Sequence, residues 1–114
     1  MLTGRALHAQ LVEAVGTELA TDAVVDPATG ETRQITFRIK DVTEATVNGP
    51  FVQWSVLLTT TRDDEVQSGT MVARHEQLGE LTMFVSPFAA DESTVTYESV
   101  FSQRDEAADE TAGA

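Results

Sequence analysis

Between Arg33 and Thr43 apolar and polar residues alternate, with Ile35, Phe37 and Ile39 on one parity and Thr36, Arg38 and Lys40 on the other. A period of two is that of a strand with one face inward, here with a basic stripe outward. Phe51 to Thr60 repeats the pattern: Val52, Trp54, Val56 and Leu58 share one face, while Phe51, Gln53, Ser55 and Leu57 share a mixed one. A mixed outer face predicts partial covering, by the N-terminal helix described next. Leu81 to Ser86 and Thr94 to Phe101 are rich in β-branched and aromatic residues. Joined by a polar loop with Pro87, Asp91 and Glu92, they read as strand, connection and strand. Thr17–Val25 and Thr70–His75 complete the set of predicted strands.

Only the start of the chain has helical spacing. Leu7 and Leu11 fall at i and i+4, Val12 and Val15 extend the apolar face, Thr3 can cap, and Gly16 stands where a helix would stop. The predicted helix is therefore 3–15. Asp26-Pro27-Ala28-Thr29-Gly30-Glu31 is a strong turn signal and predicts a hairpin between the first two strands. Asn48-Gly49-Pro50 breaks the chain again, Arg62-Asp63-Asp64-Glu65 predicts a charged loop, and Gln77-Leu78-Gly79-Glu80 predicts a tight connection in which Gly79 takes positive φ. Leu81, Met83 and Val85 are expected on one side, meeting Val95, Tyr97 and Phe101. About six short strands after one helix suit a mainly β fold, an antiparallel meander closed into a small barrel or folded as a sandwich. No second helix lies between strands, so a βαβ fold is not expected.

The chain has 114 residues, which suits one domain. From Ser102 onward the apolar pattern ends, so the expected domain is 1–102, with 103–114 an acidic tail lacking the apolar surface that would offset its ordering entropy. There are 19 acids against 7 bases, net charge −12. Such a surface repels phosphate, so neither nucleic acid nor an anionic membrane is an expected partner. No run approaches the roughly 20 apolar residues of a membrane span, and Met1–Gln10 has no signal-peptide core. The expectation is cytoplasmic, with export inside an assembly as the other route.

Candidate chemistry is sparse. Cysteine is absent, which excludes disulfides and thiolate sites. The two histidines, His8 and His75, lie in different elements without metal-ligand spacing, and the acidic loop lacks the ligand alternation of a calcium loop. No Gly-x-Ser-x-Gly elbow and no glycine-rich loop before a helix occurs. No catalytic, metal or cofactor-binding residue is therefore assigned. Trp54 is expected in the core. Arg74-His75-Glu76 is the most polar cluster beside an apolar run.

The C-terminal residues carry a resemblance. His75, Leu78, Gly79, Glu80 and Leu81 lead into Phe84, Val85 and Pro87, and Tyr97, Glu98, Val100 and Phe101 follow an acidic loop. With Leu7, Leu11 and the run Val15-Gly16-Thr17-Glu18-Leu19, the stretch from Leu2 to Phe101 resembles a family of small bacterial β proteins described as a domain of unknown function. The resemblance implies company with proteins similar to phage tail collars or fibres, an association rather than a mechanism. The acidic 21–33 hairpin and the acidic tail depart from that pattern.

Two expectations of function follow. One is a non-enzymatic interaction or assembly domain with a protein partner, contacting it through Phe51, Gln53, Ser55 and Leu57; a homo-oligomer is compatible with it. The other is a small-molecule-binding barrel or small enzyme whose mouth brings Arg38, His75, Tyr97 and Glu98 together.

Overall fold

A computed structural model describes residues 4–26, 28–61 and 69–104, without the side chains of 23–26. The element order is α1 (Gly4–Glu13), β1 (Glu18–Asp26), β2 (Glu31–Val42), β3 (Thr46–Asn48), β4 (Phe51–Thr61), β5 (Gly69–His75), β6 (Gly79–Ala90) and β7 (Thr94–Arg104). The sheet order is β2-β1-β5-β6-β7-β4-β3, and a further β2–β4 pairing closes it. The protein is thus a six-stranded antiparallel barrel with β3 as an extra strand and one short N-terminal helix. The capping role expected of Thr3 and the Arg62–Glu65 loop lie outside the described residues, as does the expected tail from 105 onward; Gln103 and Arg104, assigned to that tail from sequence, instead end β7.

The alternation in β2 and β4 becomes the barrel wall. Ile35, Phe37, Ile39, Val52, Val56 and Leu58 are fully buried, and Trp54 is buried beside them. From the other half of the chain come Met83, Val85, Val95, Tyr97 and Phe101, so the facing expected of the last two strands is met. Phe37 and Tyr97 meet edge to face at 5.5 Å, and Trp54 stacks on Phe101 at 5.3 Å. Burying a side chain of this size stabilises by about 1.5–3 kcal/mol.

The meander expected from the strand spacing is not what closes the barrel. β1–β2, β3–β4, β5–β6 and β6–β7 are simple hairpins, but β4 pairs with β7 along its whole length, from Phe51↔Arg104 to Thr61↔Thr94, and β5 returns to β1 at Ala20↔Arg74 and Thr21↔Ala73. The edges of β4 are taken by β2 and β3 on one side and β7 on the other, so β5, the next strand in the chain, pairs elsewhere. β3, unforeseen from sequence, lies on the same edge of β4 as β2. Pro87 belongs to β6 rather than to a loop. A bulge separates Pro87 from Ala89 where β6 faces β7, and a proline is tolerated at a bulge.

Helix α1 buries Leu7, Leu11 and, just beyond it, Ala14, spaced i, i+4 and i+7. Val12 and Val15 do not join this face; they are exposed, because they project to the side of the 7/11/14 stripe. Nor does α1 cover the outer face of β4. Its His8 ring meets Trp54, an inward residue, at 5.2 Å, and His8 Nε2–H donates to the Thr43 carbonyl at 2.8 Å. The helix therefore closes one end of the barrel. Past it, Gly16 N–H donates to the Ile39 carbonyl at 2.8 Å, which ties the end of the helix to β2.

Candidate functional site

The outward positions of β4 form one continuous wall. Phe51 is exposed and Gln53, Ser55 and Leu57 are half-buried. Gln53 Nε2 donates to Ser102 Oγ at 3.2 Å. The register aligns Ser55 with Val100 and Leu57 with Glu98 on β7. Val100 is 63% exposed. On β6, Ser86 pairs with Glu98; two residues back from Ser86, on the same outward parity, is Phe84, 57% exposed. Phe84 pairs with Thr70 on β5, and the next outward residue of β5 is Val72, 42% exposed. A row of apolar side chains thus crosses β5, β6, β7 and β4. Sequence reasoning found its Leu57 end and missed Val72, Phe84 and Val100. The available signal was phase: each is apolar on a parity otherwise held by Thr, Ser, Glu or Arg.

The residues expected to share a barrel-mouth pocket are dispersed. Tyr97 is fully buried in the interior, Glu98 is half-buried on the outer wall, Arg38 points outward from β2, and His75 is buried at the end of β5. Arg38 instead borders an open depression of about 390 Å³ on the outside of the barrel, with Val15, Gly16, Ile39, Lys40, Thr59, Asp91, Thr94 and Thr96. No cluster of three or more His, Asp or Glu side chains suited to a metal ion occurs among the described residues, and no described helix is long and apolar enough to cross a membrane.

His75 has a structural part that spacing could not reveal. Its Nδ1 accepts the backbone N–H groups of Gln77 at 3.0 Å and Leu78 at 3.2 Å. That leaves Nε2 as the protonated nitrogen, and it donates to Thr17 Oγ1 at 2.8 Å. Thr17 Oγ1–H in turn donates to the Ala14 carbonyl. One imidazole therefore links the β5–β6 turn to the segment leaving α1, and both ring nitrogens are occupied by the fold itself. Beside it, Thr21 Oγ1 donates to the Val72 carbonyl at 2.8 Å, and Arg74 pairs with Asp22 at 3.6 Å. These side-chain bonds stitch β1 to β5 where the backbone ladder is only Ala20↔Arg74 and Thr21↔Ala73.

A family model, a domain of unknown function (DUF6916), matches residues 7–101. The chain belongs to the DUF6916 family. The match opens at Leu7, on the buried face of α1, and closes at Phe101, which stacks on Trp54, so the DUF6916 domain comprises the barrel together with the helix that closes it. No curated protein and no solved structure matches the chain.

Proposed function

We propose that this DUF6916 domain is a non-enzymatic interaction module, an accessory or assembly subunit that works with other proteins in the cytoplasm or within a fibre- or phage-tail-like apparatus. The observation that carries the reading is the exposed row of Val72, Phe84 and Val100 on the outer wall, continuous with Leu57. Single exposed apolar residues are ordinary, but a contiguous row on adjacent strands marks a surface that gains by being covered. The fibre-like setting rests on the family resemblance alone.

The interior favours this reading over a ligand in the barrel mouth. Phe37, Tyr97, Leu58, Val56 and Val95 occupy the inside of the barrel, and α1 with the Trp54–Phe101 stack occupies one end. The test is affinity capture of the native protein from its own cells, followed by mass spectrometry and light scattering. Stoichiometric recovery with other structural proteins is expected. Recovery of a lone monomer that shows a thermal shift with small molecules would refute the module.

A further inference from the structure

We propose that the depression across β2, β4 and β7 binds one phosphate group, held by the side chains of Arg38 and Lys40 and the hydroxyls of Thr59 and Thr96. The site is separate from the apolar row, and its test does not depend on the interaction-module reading.

The basic stripe of β2 supplies the charge. Arg38 and Lys40 are both exposed, and both border the depression of about 390 Å³. Regular alternation puts Arg38 outward. A bulge between Ile39 and Asp41 leaves Lys40 as the extra residue of β2, and a bulge re-aims side chains. The register then sets Arg38 opposite Thr59 on β4, and Thr59 opposite Thr96 on β7. Neighbouring strands lie about 4.8 Å apart. A group seated over Thr59 therefore has Arg38 one strand away on one side and Thr96 one strand away on the other.

These donors have no internal acceptor. Arg74, by contrast, is paired with Asp22. Among the described residues neither Arg38 nor Lys40 has an ion pair or a side-chain hydrogen bond, and the Thr59 and Thr96 hydroxyls have no partner either. Thr96 is only 8% exposed, yet it lines the depression, so its hydroxyl gains a bond when a ligand fills that space.

The acids nearby are turned to the backbone or stand apart. Asp91 Oδ1 accepts the N–H groups of Ser93 and Thr94 at 2.9 and 2.8 Å, and Asp41 Oδ1 accepts the Val42 N–H at 2.9 Å. Glu18 faces Arg38 in the β1–β2 ladder without pairing with it. Two cations match the charge of about −1.5 to −2 that a phosphate group carries near pH 7, and its oxygens accept from β2, β4 and β7 at once. A carboxylate brings a single charge and two oxygens. The net charge of −12 opposes a polyanion, whose charges would extend past the depression. Screening beyond about 8 Å at physiological salt leaves a single group to the local field.

The experiment titrates the isotope-labelled full chain at constant ionic strength, with chloride as the balancing salt, and follows backbone amide shifts by NMR. Inorganic phosphate is expected to move the amides of Lys40, Thr59 and Thr96 with a Kd of about 1 mM or below. Arg38→Gln and Lys40→Gln, both at exposed positions, should each weaken binding by about tenfold. Thr96→Val removes one hydroxyl and should weaken it by about two- to tenfold, with Tm unchanged or raised. Glu18→Gln removes an opposing charge and should tighten it. A phosphoserine peptide that binds more tightly than inorganic phosphate assigns the group to a protein partner, and equal binding assigns it to free phosphate or a small phosphate ester. No shift at about 10 mM phosphate, tenfold above the expected Kd, overturns the proposal. So do shifts that acetate matches, which would make this a carboxylate site, and shifts that persist in the double variant Arg38→Gln/Lys40→Gln.

Discussion

Replacing Gly79 by valine isolates backbone conformation from packing. Gly79 opens β6 with φ +75°, and a Cβ built there meets nothing within 4 Å. No clash contributes, so the cost is that of holding an L-residue in the left-handed region, about 1–2 kcal/mol, and more for a β-branched side chain. Against it stands the smaller conformational entropy of the unfolded variant, which recovers about 0.4–1 kcal/mol. For Gly79→Ala the net loss is then about 1 kcal/mol, and Gly79→Val loses more. A domain of this size shifts in Tm by about 4–8 °C per kcal/mol. Urea and thermal unfolding should show a lower midpoint with an unchanged denaturant slope. Gly79→Asn should restore most of the loss, since asparagine tolerates this conformation. Gly69→Ala is the control: no positive φ is found there, nothing lies within 4 Å of the added carbon, and stability should hold or rise. Equal effects at both glycines, or wild-type stability in Gly79→Val, would refute the turn geometry.

Replacing His75 by leucine deprives the Gln77 and Leu78 amides and the Thr17 hydroxyl of their partner, and should cost about 2–4 kcal/mol in urea unfolding. Ser99 Oγ is buried with no hydrogen-bond partner among the described residues, so Ser99→Ala should be neutral or stabilising by up to about 1 kcal/mol, read as a raised Tm. Phe37→Ala removes the edge-to-face partner of Tyr97 and should cost about 3–5 kcal/mol, enough to populate unfolded protein in near-UV circular dichroism. Phe84→Ser and Val100→Ser, each more than half exposed, should leave stability within about 0.5 kcal/mol of wild type.

The strands legible in the sequence are those with one fully buried face. In β2 and β4, burial imposes strict alternation on the side chains, and Ile35, Phe37, Ile39, Val52, Trp54, Val56 and Leu58 display it. The turns were legible for a related reason, because Gly30 and Gly79 stand where the backbone needs positive φ. β3 was illegible: its three residues are all exposed, so no burial pattern marks them. Pro87 read as a loop residue because the rule against proline in strands assumes a regular ladder, and β6 carries a bulge at this point. Closure itself leaves no local trace. Pairing β4 with β7 joins Leu57 to Glu98, and nothing near either residue encodes the other. The same distance hid the site: Leu57 was visible in its own strand, but the row it completes exists only once β5, β6 and β7 stand beside β4. His75 likewise finds Thr17 only through the fold.

The strand pairings round the barrel are very unequal. Between β4 and β7 every residue of both strands is in register, whereas β1 and β5 share two ladder pairs and depend on Thr17, Thr21, Asp22, Arg74 and His75 for the rest. A closed ring opens first where fewest bonds must break together, so this domain has a built-in order of loosening. Amide protons of β5 near Ala73 should exchange with solvent ahead of those of β4 and β7, with the β5–β6 hairpin swinging out as one piece while Trp54, Phe101 and α1 stay in place. Mechanically the molecule is less a tube than a cuff, hinged along β6–β7 and fastened along β1–β5 by a short row of side-chain clasps.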